Sequence, residues 1–220
     1  SIAGGSTIEV FFTTNLADSD TRTYNSGSHV DKLYYFVCDS DNRILNDLCG
    51  TCDEKVDEKF SFTLSLLRGM EYHIYFWAQK DGVYSVENGV VSIDYSNNIE
   101  ANNGNLDAFY GSVVIPSDIQ SATQNIQLHR PFAQLNALTN DGNVLLNNDV
   151  ASFRNVKSTA TIKGVYSQFD LISGTVKGDS IEITFAPAMI PSGDEQDEQD
   201  EQDLNAKYTY ISMNYLFVPT

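Results

Sequence analysis

The stretch FSFTLSLLRGMEYHIYFWA, residues 60–78, decides the fold class of this 220-residue chain. In its first half, apolar side chains alternate with serine and threonine, which is the pattern of a half-buried β-strand. The apolar positions of this run are Phe60, Phe62, Leu64 and Leu66. A second strand-like run, YHIYFWA, begins at Tyr72. The turn residues Arg68 and Gly69 between the runs predict a hairpin-like pair.

Runs of the same kind recur along the whole chain and are rich in the residues that suit a pleated surface. They include TIEVFFT, KLYYFVC, NIQLH, FAQLNAL, DSIEITF and YTYISMNYLFV. Helical patterns are few and short, at residues 104–111 and 148–154. Many short strands separated by Gly, Asn and Asp turns are typical of β-sandwiches, and these are too many for one small sandwich. The sequence therefore predicts an all-β protein with two tandem β-sandwich domains.

The boundary between the two predicted domains falls near LHRPFAQLN, residues 128–136. Pro131 cannot donate a backbone hydrogen bond, so it belongs at the start of a strand or on a sheet edge. We therefore predict an N-terminal domain over residues 1–127 and a C-terminal domain over residues 128–220. Arg130 and Pro131 are interpreted as the hinge between them, with Arg130 paired to an acidic residue across the junction.

The net charge of the chain disfavours two classes of partner. The 30 acidic and 13 basic residues give a formal net charge of −17, which disfavours nucleic acid and anionic membrane surfaces as main partners. The opening SIAGGSTIEV has no basic or apolar leader pattern, so we expect that any export signal has already been removed. The repeat DEQDEQDEQD, residues 194–203, is interpreted as a solvated loop, with a cation-binding segment as the alternative.

The sequence contains no motif that indicates an enzyme, a cofactor or a metal site. His29, His73 and His129 are scattered. Cys49 and Cys52 have the spacing of a thiol redox motif, but acidic residues and a strand-like run follow them instead of a helix. We interpret this segment as a loop with one optional disulfide, and half a zinc site is the alternative. The disulfide state of these two cysteines and Cys38 stays open.

Aromatic residues around Trp77 allow two interpretations. A tryptophan on an alternating strand most often fills a core. Alternatively, Trp77, Tyr75 and Tyr84 form an exposed platform on which a sugar stacks. The direction in which Trp77 points distinguishes a core from a glycan-binding surface.

The motifs RGMEYHIYFWAQ, LDAFYG and LHRPFAQLN, together with their order along the chain, resemble those of the fimbrillin-like surface proteins of Bacteroides-type bacteria. This is the type V pilin and fimbrial tip-protein superfamily. The resemblance covers about residues 7–218 and implies two transthyretin-like β-sandwich domains. It also implies export as a lipoprotein, with a lipid anchor upstream of Ser1 and display at the outer membrane or on a fimbrium after signal-peptide removal.

The resemblance further implies assembly by β-strand addition. Polymerising members lose their first strand by cleavage after an arginine, and a strand of a neighbouring subunit fills the vacated groove. Here STIEVFFTT is the expected removable strand, with Ile8, Val10 and Phe12 on its apolar face. Arg22, in the polar segment ADSDTRTYNSGS, is the expected processing point. The alternative is that Arg22 is an ordinary loop cation.

We therefore expect a structural or accessory (tip or anchor) subunit of a bacterial surface fimbria that contributes to adhesion. Its expected partners are other fimbrial subunits, together with host or bacterial surface ligands. The alternative is an outer-membrane surface lipoprotein that binds carbohydrate through exposed aromatic residues. Relatives commonly continue beyond the strand that ends near Thr220, so either the chain is truncated or this member offers an incomplete sheet edge.

Overall fold

The computed structural model describes residues 6–16, 27–139, 156–190 and 209–219. The strands in chain order are β1 Thr7–Leu16, β2 Lys32–Asp39, β3 Gly50–Cys52, β4 Lys55–Val56, β5 Lys59–Leu67, β6 Tyr72–Gln79, β7 Ser85–Glu87, β8 Val90–Ser92, β9 Phe109–Ile115, β10 Thr123–Leu128, β11 Ala133–Thr139, β12 Lys157–Ser158, β13 Thr161–Val165, β14 Gln168–Asp170, β15 Thr175–Lys177, β16 Ile181–Thr184, β17 Ala188–Met189 and β18 Thr209–Leu216. The predicted all-β class is confirmed.

Helix in the described residues is limited to 3₁₀ turns at Asn46–Leu48, Tyr95–Asn97 and Gly104–Leu106. The last turn opens the predicted helical segment 104–111, which then enters β9 at Phe109. The other predicted segment, 148–154, lies outside the described residues, as does the acidic repeat at 194–203. Within the described ranges, no helix is long and apolar enough to cross a membrane.

Two four-stranded sheets form a sandwich. The front sheet has the order β10-β1-β5-β4 and the middle sheet the order β3-β2-β6-β9. Between them lies the first core, a cluster of buried side chains to which both sheets contribute. Its members include Val10, Phe12, Leu33, Val37, Phe60, Leu64, Ile74, Phe76, Phe109 and Leu128.

The predicted hairpin of residues 60–78 is wrong, because β5 belongs to the front sheet and β6 to the middle sheet. The turn at Gly69 therefore crosses between layers. The difference follows from burial: β5 has serine and threonine on one side and lies in an outer layer. By contrast, seven of the eight residues of β6 are buried, so this strand needs packing on both faces.

The second core lies on the other face of the middle sheet. It joins Trp77 and Tyr75 of β6 to side chains from the second half of the chain, including Val165, Phe169, Phe185, Met213, Tyr215 and Phe217. Strand pairing also links the two halves, since β8 pairs with β14 in the sheet β15-β14-β8-β7. The domain boundary near residue 127 stays a prediction.

Candidate functional site

β1 lies in the middle of the front sheet, although it comes from the N-terminal end of the described chain. It pairs antiparallel with β5, from Thr7 opposite Leu67 to Thr14 opposite Phe60. On its other side it pairs in parallel with β10 over residues 11–16. The stretch from residue 11 to residue 14 therefore has a hydrogen-bonded strand on both sides.

The side chains of β1 alternate strictly between the first core and the surface. Val10 and Phe12 are 0% exposed, and Ile8 is half-buried on the same row. Phe11 points the other way and is 42% exposed. All three residues predicted for the apolar face of the removable strand thus lie on the inward row. Thr14 continues this row and is 1% exposed.

The pocket around Phe12 is aromatic. The Phe12 ring stacks on Phe62 with centroids 5.2 Å apart and an interplanar angle of 12°. Phe76, which belongs to the opposite sheet, has its ring centroid 6.2 Å from that of Phe12. The ring of Tyr35 stacks on the far side of Phe62, with centroids 4.3 Å apart. Two residues further along, the Thr14 hydroxyl donates to the Phe60 carbonyl at 3.5 Å.

The chain after β1 returns to the described part of the structure close to a buried ion pair. Arg22 lies outside the described residues. Gly27 has φ +75°, and a Cβ there would lie 2.8 Å from the Phe109 ring, so glycine fits this return where other residues would not. Next, the His29 Nε2 lies 3.2 Å from the Asp107 carbonyl oxygen. Burial lowers the pKa of His29, and its contact with Asp107 opposes the shift.

The acidic residue that pairs with Arg130 is Asp107. The guanidinium donates from Nε to Oδ1 and from Nη2 to Oδ2, each at 2.8 Å. The two side chains are 8% and 0% exposed, and the guanidinium lies 4.7 Å from the Phe109 ring centroid. Burial raises the pKa of Asp107, and Arg130 opposes the shift. Pro131 follows, two residues before β11 begins.

This ion pair lies where the chain passes from its first half to its second half, since Asp107 precedes β9 and Arg130 follows β10. Just before it, Tyr110 and His129 exchange two backbone hydrogen bonds of 2.8 Å, which join the end of β10 to β9. Asp107 was not predicted as this partner, although it belongs to the motif LDAFYG. The pattern around it, an aspartate between Leu106 and Ala108, was the available indication of burial.

Of the two interpretations of Trp77, the structure shows core filling, and the alternative of an exposed aromatic platform is wrong. Trp77, Tyr84 and Tyr75 are 0%, 5% and 8% exposed and belong to the second core. Trp77 Nε1 donates to the Gln79 Oε1 at 2.7 Å, and Gln79 Nε2 donates to the Tyr84 carbonyl at 3.0 Å. These rings are held between layers of structure, so they offer no face to a sugar.

The cysteines do not form a redox centre in this structure. All three are free thiols. Cys49 and Cys52 are separated by the extended backbone of β3, about 10 Å for three residues, so a disulfide between them would require this strand to break. Burial raises the pKa of Cys38 to about 11 and also raises that of Cys49, which disfavours reactive thiolates. Among the described residues, no metal-binding group of His, Cys, Asp and Glu is found.

Comparison with known proteins identifies a family and a fold. Residues 6–220 match the model of the Family of unknown function (DUF6562). No curated protein matches the chain. Among solved structures, a candidate adhesin from Bacteroides thetaiotaomicron superposes with a TM-score of 0.57 and 13% identity, over 98% of this chain and 72% of the other.

Two further structures are similar. The fimbrial anchor protein Mfa2 from Porphyromonas gingivalis has a TM-score of 0.52 and 12% identity, over 99% of this chain and 74% of the other. A candidate polysaccharide-binding protein from Bacteroides thetaiotaomicron has a TM-score of 0.53 and 14% identity, over 96% and 71%. At these identities the likeness shows the fold alone. At that level it confirms the resemblance to fimbrillin-like surface proteins of Bacteroides-type bacteria.

Proposed function

The chain belongs to the Family of unknown function (DUF6562), and we propose that it is a subunit of a bacterial surface fimbria. In this proposal it is a structural or accessory subunit that assembles by β-strand addition and contributes to adhesion. The observation that carries the proposal is the position of β1. A strand from the N-terminal end of the described chain fills the middle of the front sheet, between β5 and β10.

Removal of β1 would open a site with the chemistry that binds a strand. Along residues 11–14, the facing backbone groups of β5 and β10 would lose their partners. The first core would lose the buried side chains of Val10, Phe12 and Thr14. Unpaired strand edges next to exposed apolar surface bind another strand readily. The vacated groove would thus take a strand from a neighbouring subunit.

Cleavage after Arg22 is the proposed trigger. It would leave β1 attached to the sheet by hydrogen bonds and side-chain packing alone. The new end of the mature chain would lie a few residues before Gly27 and His29, where the backbone is packed against Phe109 and Asp107. The new N-terminal end would therefore stay packed against the rest of the fold while β1 is exchanged. Arg130 and Pro131 act as the hinge in this proposal, with the Asp107 pair fixing its first residue.

The fold of a fimbrial anchor protein and of a candidate adhesin supports a place at the cell surface. A lipid anchor upstream of Ser1 and a final location on the outer membrane or the fimbrium are part of the proposal. Other fimbrial subunits are its partners through strand exchange.

The test uses protein sheared from the native cell surface. The sample is run unboiled on a denaturing gel, and the N-terminus of each band is sequenced. We expect a ladder of high-mass bands whose subunits begin at Thr23. An Arg22→Ala variant should lose the ladder and keep the monomer. Monomer alone in the unmodified protein, with its N-terminus upstream of β1, would contradict assembly by exchange of β1 and would leave an anchored accessory subunit.

A further inference from the structure

We infer that the groove selects the strand it receives through two neighbouring inward positions. One takes an aromatic ring at the place of Phe12, and the next takes a small side chain at the place of Thr14. This inference rests on the proposed function, because it names the chemistry of the partner strand. The partner is a segment of another subunit in which an aromatic and a small residue alternate with outward-facing residues.

The aromatic requirement follows from what surrounds Phe12. Its ring is fully buried, stacked on Phe62 and close to Phe76. Phe62 is itself held by the Tyr35 ring on its other side. A smaller side chain would leave a cavity lined by these rings, and buried cavities of this size are costly. An aromatic residue fills the pocket and gains the stacking contact.

The small-residue requirement follows from the next position. Thr14 is 1% exposed, and its register partners Phe60 and Ile126 are 0% and 4% exposed. The space is therefore already filled by these large neighbours. The Thr14 hydroxyl donates to the Phe60 carbonyl, so a small hydroxyl side chain is satisfied there. A ring in this position would overpack the core.

Together the two positions fix the register of the incoming strand. A slide by two residues keeps the same face inward, but it brings Phe12 to the place of Thr14 in one direction and Thr14 to the place of Phe12 in the other. A slide by one residue turns the other face inward. In β1 itself, such a slide can put Phe11 in the place of Phe12 and Thr13 in the place of Thr14, so both positions receive the same residue types again. That slide would also bury Glu9, which is exposed in the structure, and an unpaired buried carboxylate opposes it.

Peptide binding tests the inference. The full chain is cleaved after Arg22 and freed from its first strand, and fluorescent peptides of residues 6–16 are added back and followed by anisotropy. Phe11 and Phe12 form a matched pair, since they are the same residue type on opposite faces. We expect Phe12→Ala to weaken binding by at least about 100-fold and Phe11→Ala by no more than about threefold. Thr14→Phe should weaken binding about as much as Phe12→Ala.

The outcomes separate the inference from the proposed function. If the unmodified peptide binds and the Phe11→Ala and Phe12→Ala peptides lose equal affinity, strand addition stands and the selection rule is overturned. Failure of every peptide, the unmodified one included, overturns the proposed function and the inference with it.

A second peptide tests the register argument. In the Phe12→Ala peptide, a further Glu9→Val change removes the carboxylate that opposes the one-residue slide, so Phe11 can enter the aromatic pocket. We expect affinity to recover by at least about tenfold. The same recovery without Phe12→Ala is not expected, because that peptide already fills the pocket. No recovery in the double variant would overturn the role given to Glu9.

Discussion

The two cores of this protein share the middle sheet and are built by different means. Long strands line the first core: β1, β2, β5 and β6 have eight to ten residues each and pair along most of their length. Its buried side chains are mainly aliphatic residues and phenylalanine. Long hydrogen-bonded strands thus define the first core, and the strand β1 is hydrogen-bonded to a neighbour on both sides.

Side chains define the second core. Outside the middle sheet and the β11–β18 pair, the strand pairs around it span two to four residues. At its centre, the ring of Trp77 lies within about 6 Å of four other aromatic rings. The polar side chain of Gln79 is buried beside these rings. The middle sheet thus stabilises two cores by different means: long hydrogen-bonded strands line the first core, and aromatic packing fills the second.

Adjacent residues of β6 offer the strongest test of this comparison. Trp77 faces the second core and Phe76 the first, and both are fully buried. We expect Trp77→Ala to lower the free energy of unfolding by about 5 kcal/mol, the upper end for loss of a large core side chain. Phe76→Ala should cost about 3–4 kcal/mol. Both values are measured by denaturant unfolding.

Hydrogen exchange distinguishes the two variants by region. Trp77→Ala should speed exchange most in β14 and β18, whereas Phe76→Ala should speed it most in β1 and β5. Identical exchange patterns in the two variants would mean that the cores unfold as one unit. The difference in construction between the two cores would then have no effect on their local stability.

The buried ion pair tests whether polar contacts are essential to the crossing between the two halves. Arg130→Met leaves the Asp107 carboxylate buried without its bidentate partner. We expect a loss of about 3 kcal/mol in unfolding free energy. The double variant Asp107→Leu with Arg130→Met should recover much of that loss, because it also removes the buried charge. A single variant as stable as the unmodified protein would show that the pair does not stabilise the junction.

The sequence and structure agree best where local pattern alone decides the outcome. The alternation of apolar residues with serine and threonine from Phe60 to Leu66 correctly predicted a half-buried strand. The turn at Gly69 did not reveal that β5 and β6 lie in different sheets, because turn residues report a change of direction and not the neighbour that follows. The apolar continuity of YHIYFWA was the missed indication, since burial on both faces requires a layer on each side.

The site was predictable only in its first strand. Val10 and Phe12 lie on the inward row, as alternation requires, but the central position of β1 depends on pairing with residues more than 45 positions away. The ion pair was predicted for Arg130 without its partner. The flanking Leu106 and Ala108 indicated burial at Asp107, but the pattern could not pair it with Arg130, because that contact is produced by the assembled core.

A third test concerns the polar link inside the second core. Gln79 is fully buried, accepts from the Trp77 Nε1 and donates to the Tyr84 carbonyl. Gln79→Met keeps the shape and removes the acceptor, which leaves the indole N–H without this partner. We expect a loss of about 1–3 kcal/mol in unfolding free energy. The exposed Gln120 provides a matched control, and Gln120→Met should change stability by less than about 0.5 kcal/mol.

The smallest expected effect is a pH dependence at the junction of the two cores. His29 contacts the backbone carbonyl of Asp107, the partner of Arg130, and burial lowers the pKa of His29 below the usual 6.5. The unfolded chain therefore binds a proton at His29 more readily than the folded chain. Stability from this group is present above pH 6.5 and declines as the pH falls toward the folded pKa.

Thermal unfolding between pH 7.5 and pH 5 measures this decline. We expect the unmodified protein to lose more thermal stability over this interval than a His29→Gln variant, which has no proton to bind. His29 is only half-buried and its contact with Asp107 opposes the shift, so the difference is modest. His129 serves as the control, because it joins β9 through its backbone and His129→Gln keeps those bonds. Equal pH dependence in the His29→Gln and unmodified proteins would show that protonation of His29 does not contribute to the acid sensitivity.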